Sequence, residues 1–590
     1  MNVLTNQQPA YWRSLEELEN TPEFVEFLHR EFPQAASEFP TGMSRRRWLQ
    51  LMGASLAMAG VAGCRWEKET IAPFVTRPAN RIPGVPQKFA TSLEIGGAIR
   101  PLIVTSYDGR PIKVEGHREH PSSFGGTDSF SQAALLNLYD PDRSREILQL
   151  DRDGKNLRAW DDFAEFMTPL SQQLRDSGGK GVRVLAERSS SLCRKRLFTK
   201  LAANWPQAKF VEHEPCSRSN EHLGAKLAFG EAYKSVYDLS RANVVFAIDS
   251  DLFDFHPQAV SLIRAWSERR VPENGPMNRV YAVESQFSTL GSVADHRLPI
   301  RSSDIFELLI KLEDRIKAVS ATSESATPTD VKSHTARFIE IVAADLVANP
   351  GQSLIVVGPG QPPEVHATAH RLNKLLQNVG VTVSYIAEDP QISVMSLDSI
   401  ADLVEEIENG DVNFLIILGG NPAYDSRTFA ASMTKVPHRI RIGASVDETS
   451  QLSTWHLPQA HSFESWGVGY SHEGLLTIRQ PLIDPIFGGI SQEEFVNFLC
   501  DDERSKGLDI LRNTLKEIFS ESRFEQEFSR LTHDGFLADY RQKKSNPVLR
   551  LPLENTLPNR SRDGIELVFT PSSSTFDGRF ANNGWLQETP

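Results

Sequence analysis

The residues of this chain that could do chemistry are few and scattered. His366 and His370 stand four apart on a segment, Pro363 to Gln377, that reads as a helix, so both imidazoles would share one face and could chelate a metal. No third ligand is apparent, and a pair alone falls short of a zinc site. Asp295-His296-Arg297-Leu298-Pro299 puts acid, imidazole and guanidinium side by side after a strand end and the turn at Gly291. With no activated nucleophile beside them, loop ion pairing explains the cluster better than catalysis does. His456, His461, Glu464 and His472 bracket Trp466-Gly467 and read the same way. No G-x-S-x-G elbow occurs at a strand-to-helix turn, which removes the commonest hydrolase reading.

Glycine and cysteine narrow the field further. Gly358-Pro359-Gly360 and Gly419-Gly420-Asn421-Pro422 each follow an expected strand, where open α/β sheets receive ligands. Neither is a full G-x-G-x-x-G, and Pro359 removes a backbone donor, so each reads first as a turn. The four cysteines, Cys64, Cys193, Cys216 and Cys500, lack the close spacing of iron–sulfur or structural zinc ligands. A Cys193–Cys216 disulfide and free thiols both remain open. No residue is assigned a catalytic, cofactor-binding or metal-binding role on this evidence.

The elements that must position these groups alternate. Leu102 to Tyr107 and Ile112 to Glu115 flank Asp108-Gly109, a pair suited to a type I′ hairpin turn. After Pro141, short apolar runs follow at Val182–Ala186, Val244–Asp249, Val280–Glu284, Leu354–Gly358, Val381–Ile386, Phe414–Gly419 and Ile440–Ser445. Most are separated by helix-length segments, the pattern of buried parallel strands. The fold expected is α/β: open, mostly parallel sheets flanked by helices, with a small N-terminal β-hairpin region. Length alone implies several domains. The divisions expected are a helical extension over 1–43, a signal over 44–64, a β-rich domain over 65–175 and a first α/β domain over 176–319. A polar linker over 320–335 would then separate the first sheet from a second α/β domain over 336–500, with a further segment over 501–590. A net charge of −13, without a basic face, argues against nucleic acid as partner.

One segment speaks about location. Arg45-Arg46-Arg47-Trp48-Leu49 precedes a short Gly- and Ala-rich apolar run ending in Val61-Ala62-Gly63-Cys64. Paired arginines (Arg45, Arg46), then Trp48 and Leu49, match the twin-arginine type of export signal, used by proteins that cross the membrane already folded. The run is too short to span a bilayer, which needs about 20 apolar residues. Its end resembles a lipobox, in which Cys64 is acylated and becomes the mature N-terminus. The destination expected is the outer, periplasmic face of the cytoplasmic membrane.

Val104-Thr-Ser-Tyr-Asp-Gly-Arg-Pro-Ile-Lys-Val-Glu-Gly116, His120-Pro121, Gly125 and Leu138-Tyr139-Asp-Pro-Asp-Arg143 resemble the N-terminal part of molybdopterin oxidoreductases of the dimethyl sulfoxide reductase family. Gly224-Ala225, Phe229-Gly230, Tyr237-Asp238-Leu239, Met277-Asn278-Arg279, Asp295 to Pro299 and Gly420-Asn421-Pro422 follow that family's order. More narrowly, Tyr11 to Leu18, His461 to Trp466, Gln480 to Ile483 and Asp577 to Leu586 are similar to the B subunits of alternative complex III.

That resemblance implies a subunit of a quinol-oxidising respiratory complex. Its partners would be a ferredoxin-like iron–sulfur subunit, a polytopic quinol-binding membrane subunit and multihaem cytochrome c subunits. Such B subunits usually continue into an iron–sulfur half, which this sequence does not include. Where active relatives carry the last cluster cysteine, this chain reads Gly125-Gly126-Thr127-Asp128-Ser129-Phe130, and the upstream cysteines are absent too. The expectation is a scaffold with no cofactor of its own. A catalytic molybdopterin enzyme and a stand-alone exported lipoprotein are the alternatives. The mature N-terminus tests the anchor: mass spectrometry is expected to find an acylated Cys64, and a chain starting near Met1 would refute it.

Overall fold

The computed structural model describes residues 82–589, except 83, 152–153, 322–332, 389–394, 398, 502 and 551–563. The signal residues Arg45, Arg46, Trp48 and Leu49 and the acylation candidate Cys64 lie outside the described residues.

The largest sheet has eight strands. In spatial order they are Met395–Leu397, Lys209–Glu212, Val182–Ala186, Phe414–Leu418, His438–Gly443, Trp455–Pro458, Ile147–Asp151 and Gly154–Arg158. The first six run parallel, and the last two add as antiparallel edge strands. The central strands are apolar on both faces because both are covered. Phe414, Ile416 and Leu418 meet Phe163, Met167, Leu197, Leu201, Phe495 and Leu499 on one side. Leu415 and Ile417 point the other way, onto Leu403, Ile407, Phe429 and Met433. The alternation follows from the two-residue period of a strand.

A second sheet, ordered His296–Pro299, Arg279–Glu284, Val244–Ile248 and Ser353–Val357, is wholly parallel. Phe246, Tyr281, Ile355 and Val357 pack against helices Ile305–Ala321, His334–Ala348 and Pro363–Leu375 on one face. Val245, Ala247, Leu354 and Val356 pack against helix Ser219–Phe229 and Leu262 on the other. In the sequence this block falls between Lys209–Glu212 and Met395–Leu397, two neighbouring strands of the large sheet. Residues 320–335 therefore do not divide two sheets. The pairing of Ser353–Val357 with Val244–Ile248 unites strands from both sides of that segment, because adjacent apolar strands satisfy each other's backbone whatever the polarity of the chain between them. The expected parallel strand over Val381–Ile386 is also corrected. It forms as Val383–Ala387 and pairs antiparallel with Tyr233–Tyr237.

Of the three three-stranded antiparallel sheets among the described residues, one joins Lys544–Ser545, Val383–Ala387 and Tyr233–Tyr237, and two more complete the frame around the large sheet. The first of these two, Gln87–Ile95, Ala98–Tyr107 and Arg110–Gly116, contains the expected hairpin. Asp108 and Gly109 have φ of 46° and 86°, the doubled positive φ that a type I′ turn demands. The second joins Gly467–Tyr470, Leu475–Arg479 and Phe536–Arg541. Among the described residues no helix is long and apolar enough to cross a membrane.

The aromatic cluster beneath the large sheet gives a stability test. Phe163 is fully buried, with Trp455 5.3 Å and Phe495 6.2 Å away between ring centroids. Phe163→Ala is expected to cost about 3–5 kcal/mol in urea unfolding. Leu157→Ala, at an exposed edge-strand position, should change stability by less than about 0.5 kcal/mol.

Candidate functional site

In an open parallel sheet the crevice for a ligand lies beyond the carboxyl ends of two neighbouring strands whose connections run in opposite directions. Each parallel sheet here has one such point. In the second sheet it lies between Val244–Ile248 and Ser353–Val357, and the chain's own side chains fill it. A Cβ on Gly358 would lie 1.7 Å from the Asp249 carbonyl oxygen, so only glycine lets these two loops touch. Asp249 then accepts from the Ser285 backbone and hydroxyl, both at 3.0 Å, and from Gln361 Nε2 at 2.9 Å. The Gly358-Pro359-Gly360 motif thus serves loop packing.

In the large sheet the switch lies between Val182–Ala186, which continues into Glu187, and Phe414–Leu418, which continues into Gly419-Gly420. Here a polar crevice of about 70 Å³ opens, lined among others by Glu94, Glu187, Arg188, Arg194, Arg479 and Arg579. Gly419 has φ 71°, and a Cβ there would meet the Glu187 carboxylate, so glycine gives the acid room. Arg441, buried below, donates to the carbonyls of Gly419 and Gly420 and to Asp447 at 2.7 Å, which holds the turn.

The charges of the crevice are held partly by ion pairs and partly by hydrogen bonds to neutral groups. Glu94 accepts from the Ser190 backbone and from Ser189 Oγ at 2.9 Å. Burial pushes its pKa upward against the pull of Arg194 and Arg479. Glu493 accepts from Arg479 at 3.1 Å and from Ser191 at 2.9 Å. Its burial is outweighed by Arg479 and Arg194, which hold it below the usual carboxylate range. Glu214 accepts from the Arg188 backbone at 2.9 Å and from Arg579 Nη2 at 2.9 Å. Burial, with Glu187 and Asp577 nearby, still raises it to about 7. Arg188 bridges the Glu212 and Glu388 carboxylates at 4.0 and 3.3 Å.

The other residues named from sequence serve structure. Asp295 forms a two-point pair with Arg270 at 2.8 and 2.7 Å, His296 stacks on Tyr281, and Arg297 pairs with Glu284. His461 caps the turn Ser462–Glu464, whose Glu464 binds Arg143 at 2.6 and 3.1 Å. His456 lies between Ser144 and Ser450, and His472 bonds the Ser235 carbonyl at 2.8 Å. His370 bonds the Tyr385 hydroxyl at 3.0 Å, while the buried Nε2 of His366 has no partner. Among the described residues no three His, Cys, Asp or Glu side chains converge as a metal site. Cys193, Cys216 and Cys500 are free thiols. The crevice residues Glu94 and Glu187, and Glu214 beside Arg579, escaped the sequence reading, while Arg579 stood in the stretch Asp577 to Leu586 without a role. Glu187 alone had a usable signal, its place directly after a buried strand.

No family model matches the chain. It is 22% identical over 428 residues to the menaquinone reductase, molybdopterin-binding-like subunit of Nitratidesulfovibrio vulgaris, a match covering 64% of this chain and 60% of that protein. The chain thus spans well under two thirds of that relative's length. Its fold is similar to acetylene hydratase from Pelobacter acetylenicus, with a TM-score of 0.55 at 12% identity over 70% of this chain and 68% of that one. The architecture is molybdopterin-oxidoreductase-like, as the order of motifs implied.

That fold implies a pterin cofactor, and the residues present do not fit one as they stand. Ligand sites generally offer about 300–1,000 Å³, whereas this crevice offers about 70 Å³ and has Arg579 seated in it. A metal thiolate is also disfavoured. Burial and Glu493 push the Cys193 thiol up to about 12, and burial with Asp577, Asp425 and Glu214 raises Cys216. The segment Gly125–Phe130 is committed to a helix start, with Asp128 accepting from Ser131 N at 2.7 Å.

Buried neutral histidines contribute to the acid response. Burial, with His370 and Arg218 close by, lowers His366 to about 3, and burial alone lowers His370 to about 4. An unfolded histidine takes up its proton near pH 6.5 but the folded one does not, so stability is lost as pH falls below that value. Between pH 7 and 5, His366→Phe should lose about 2 kcal/mol less than the parent in urea titrations. Equal losses would refute the assignment.

Proposed function

We propose that this chain is a non-catalytic, molybdopterin-oxidoreductase-like scaffold subunit of a membrane-bound quinol:electron acceptor oxidoreductase of the alternative complex III type. The observation that carries the reading is the crevice at the large sheet's switch point, which the chain's own Arg579 and paired carboxylates occupy. A fold that retains its sheets and fills its ligand position with internal ion pairs provides surface and rigidity more readily than turnover. The relative named for menaquinone reductase supports a setting in quinone-linked electron transfer.

In this reading Cys64 carries the lipid anchor on the periplasmic face, after export by the twin-arginine route. Two or more acyl chains contribute about 0.8 kcal/mol per buried methylene, enough for stable attachment. The body would hold a ferredoxin-like iron–sulfur subunit against a polytopic quinol-binding subunit and multihaem cytochromes c. No step of electron transfer is assigned to this chain's side chains.

Extraction from native membranes in mild detergent tests the proposal. Co-purification in fixed ratio with a polytopic subunit and multihaem cytochromes is expected, with molybdenum far below one per chain. Recovery of the chain alone across several detergents would overturn the scaffold role. Near-stoichiometric molybdenum would establish the catalytic alternative.

A further inference from the structure

The segment from Ser572 to Thr589 reaches the large sheet's switch point from far along the chain. It is anchored on the hairpin layer: Phe576 and Phe580 lie 5.5 and 5.0 Å from Phe130 between ring centroids, and Leu586 is fully buried. Asn583, also buried, donates to the Ala133 carbonyl at 3.0 Å and to Asn137 at 2.7 Å. Between the two aromatic anchors the chain turns at Asp577-Gly578-Arg579, where Gly578 takes φ 102°.

Asp577 grips the guanidinium within the turn, accepting from Nε at 2.8 Å and from Nη2 at 2.6 Å. The side chain also stacks on Phe576 at 5.2 Å. Its plane is therefore set by local contacts, and it is delivered to two carboxylates of the body. Nη2 lies 2.9 Å from Glu214, and Nη1 lies 3.6 Å from Glu187. Those acids follow Lys209–Glu212 and Val182–Ala186, adjacent parallel strands, so they sit at the crevice because the sheet ends there. Removing the guanidinium would leave three carboxylates facing one another with little water, an arrangement that strongly disfavours their charged forms.

We propose that Ser572–Thr589 is a built-in plug. Asp577 of the same turn takes the Nε–Nη2 edge of Arg579, and the guanidinium so held presents Nη2 to Glu214 and Nη1 to Glu187, supplying in cis the positive charge that a cationic ligand would bring and narrowing the crevice to about 70 Å³. A fork of parallel N–H donors matches a carboxylate better than a point charge does. A tethered group also gives up less freedom on docking than a diffusing ligand. The inference rests on the scaffold reading only in taking the crevice as the place where a cofactor would otherwise lie; membership of a complex is separate.

Hydrogen–deuterium exchange on the full chain in detergent tests it, with Arg579→Ala as the variant. Exchange in peptides covering Ser572–Leu586 and Glu187–Ser191 is expected to rise about tenfold or more, the loss of a charge-assisted pair. Ethylguanidinium at about 10 mM, in the range of a short tether's effective concentration, should restore protection where ethylammonium does not. Unchanged exchange in both peptides, or no rescue in a folded variant, would overturn the plug. Should Arg579→Ala fail to fold, Glu214→Gln keeps the volume and removes one charge. It should loosen Ser572–Leu586, and unchanged protection there refutes the proposal. The same preparations report co-purifying subunits separately, so a failed plug and a failed scaffold reading give different results.

Discussion

Both faces of the large parallel sheet are covered, and the rest of the molecule follows from that constraint. A strand such as Phe414–Leu418, with every side chain buried, has no position left for polar chemistry along its length. Charged groups either gather where the strands stop or, like Arg183 and Arg441 within their strands, are buried on a paired carboxylate. Glu187 and Gly419 lie one residue beyond neighbouring strands, and the pairs of the crevice gather there. The second sheet obeys the same rule, with Asp249 and Gly358 at the corresponding place.

The two switch points are filled differently. In the second sheet, neutral donors from Ser285 and Gln361 close on the single carboxylate of Asp249, a compact solution that needs no partner arginine. In the large sheet, Arg479 pairs with Glu493, Arg579 with Glu187 and Glu214, and Arg188 with Glu212 and Glu388, while Glu94 is held by Ser189 and Ser190. Desolvating so many charges is costly unless each is paired, and replacing such sets with apolar residues is often neutral for stability. Retention of the charges therefore says more about the geometry they specify than about energy gained. Arg579, delivered from a remote segment, ties the hairpin layer to the sheet through one guanidinium.

Much of the frame was legible beforehand. Buried strands announce themselves as apolar runs, so Val182–Ala186 was located to the residue and Phe414–Leu418, Val244–Ile248 and Ser353–Val357 nearly so. Asp108-Gly109 named its own turn, since few residues tolerate positive φ twice in succession. The partners of strands were less legible. The polar stretch over 320–335 looked like a boundary, but polarity reports solvation of a loop and says nothing of which strands meet across it. The histidines drew notice for their chemistry, yet His456, His461 and His472 are occupied with serines, a cap and a carbonyl. A side chain's type leaves its partner undetermined.

By itself, the amino-acid sequence determined the elements and the α/β class, because periodicity and turn chemistry act over a few residues; the likeness to molybdopterin oxidoreductases came from the order of its motifs as a resemblance. Only the tertiary structure decided that residues between Lys209–Glu212 and Met395–Leu397 form a separate parallel sheet, and that Glu94, Glu187 and Arg579 share one crevice, with Glu214 bonded to Arg579. Those acids and that arginine are separated by up to hundreds of residues, and nothing local distinguishes them from solvated surface charges. Their meeting is set by the order of strands in a sheet, which long-range pairing and burial select.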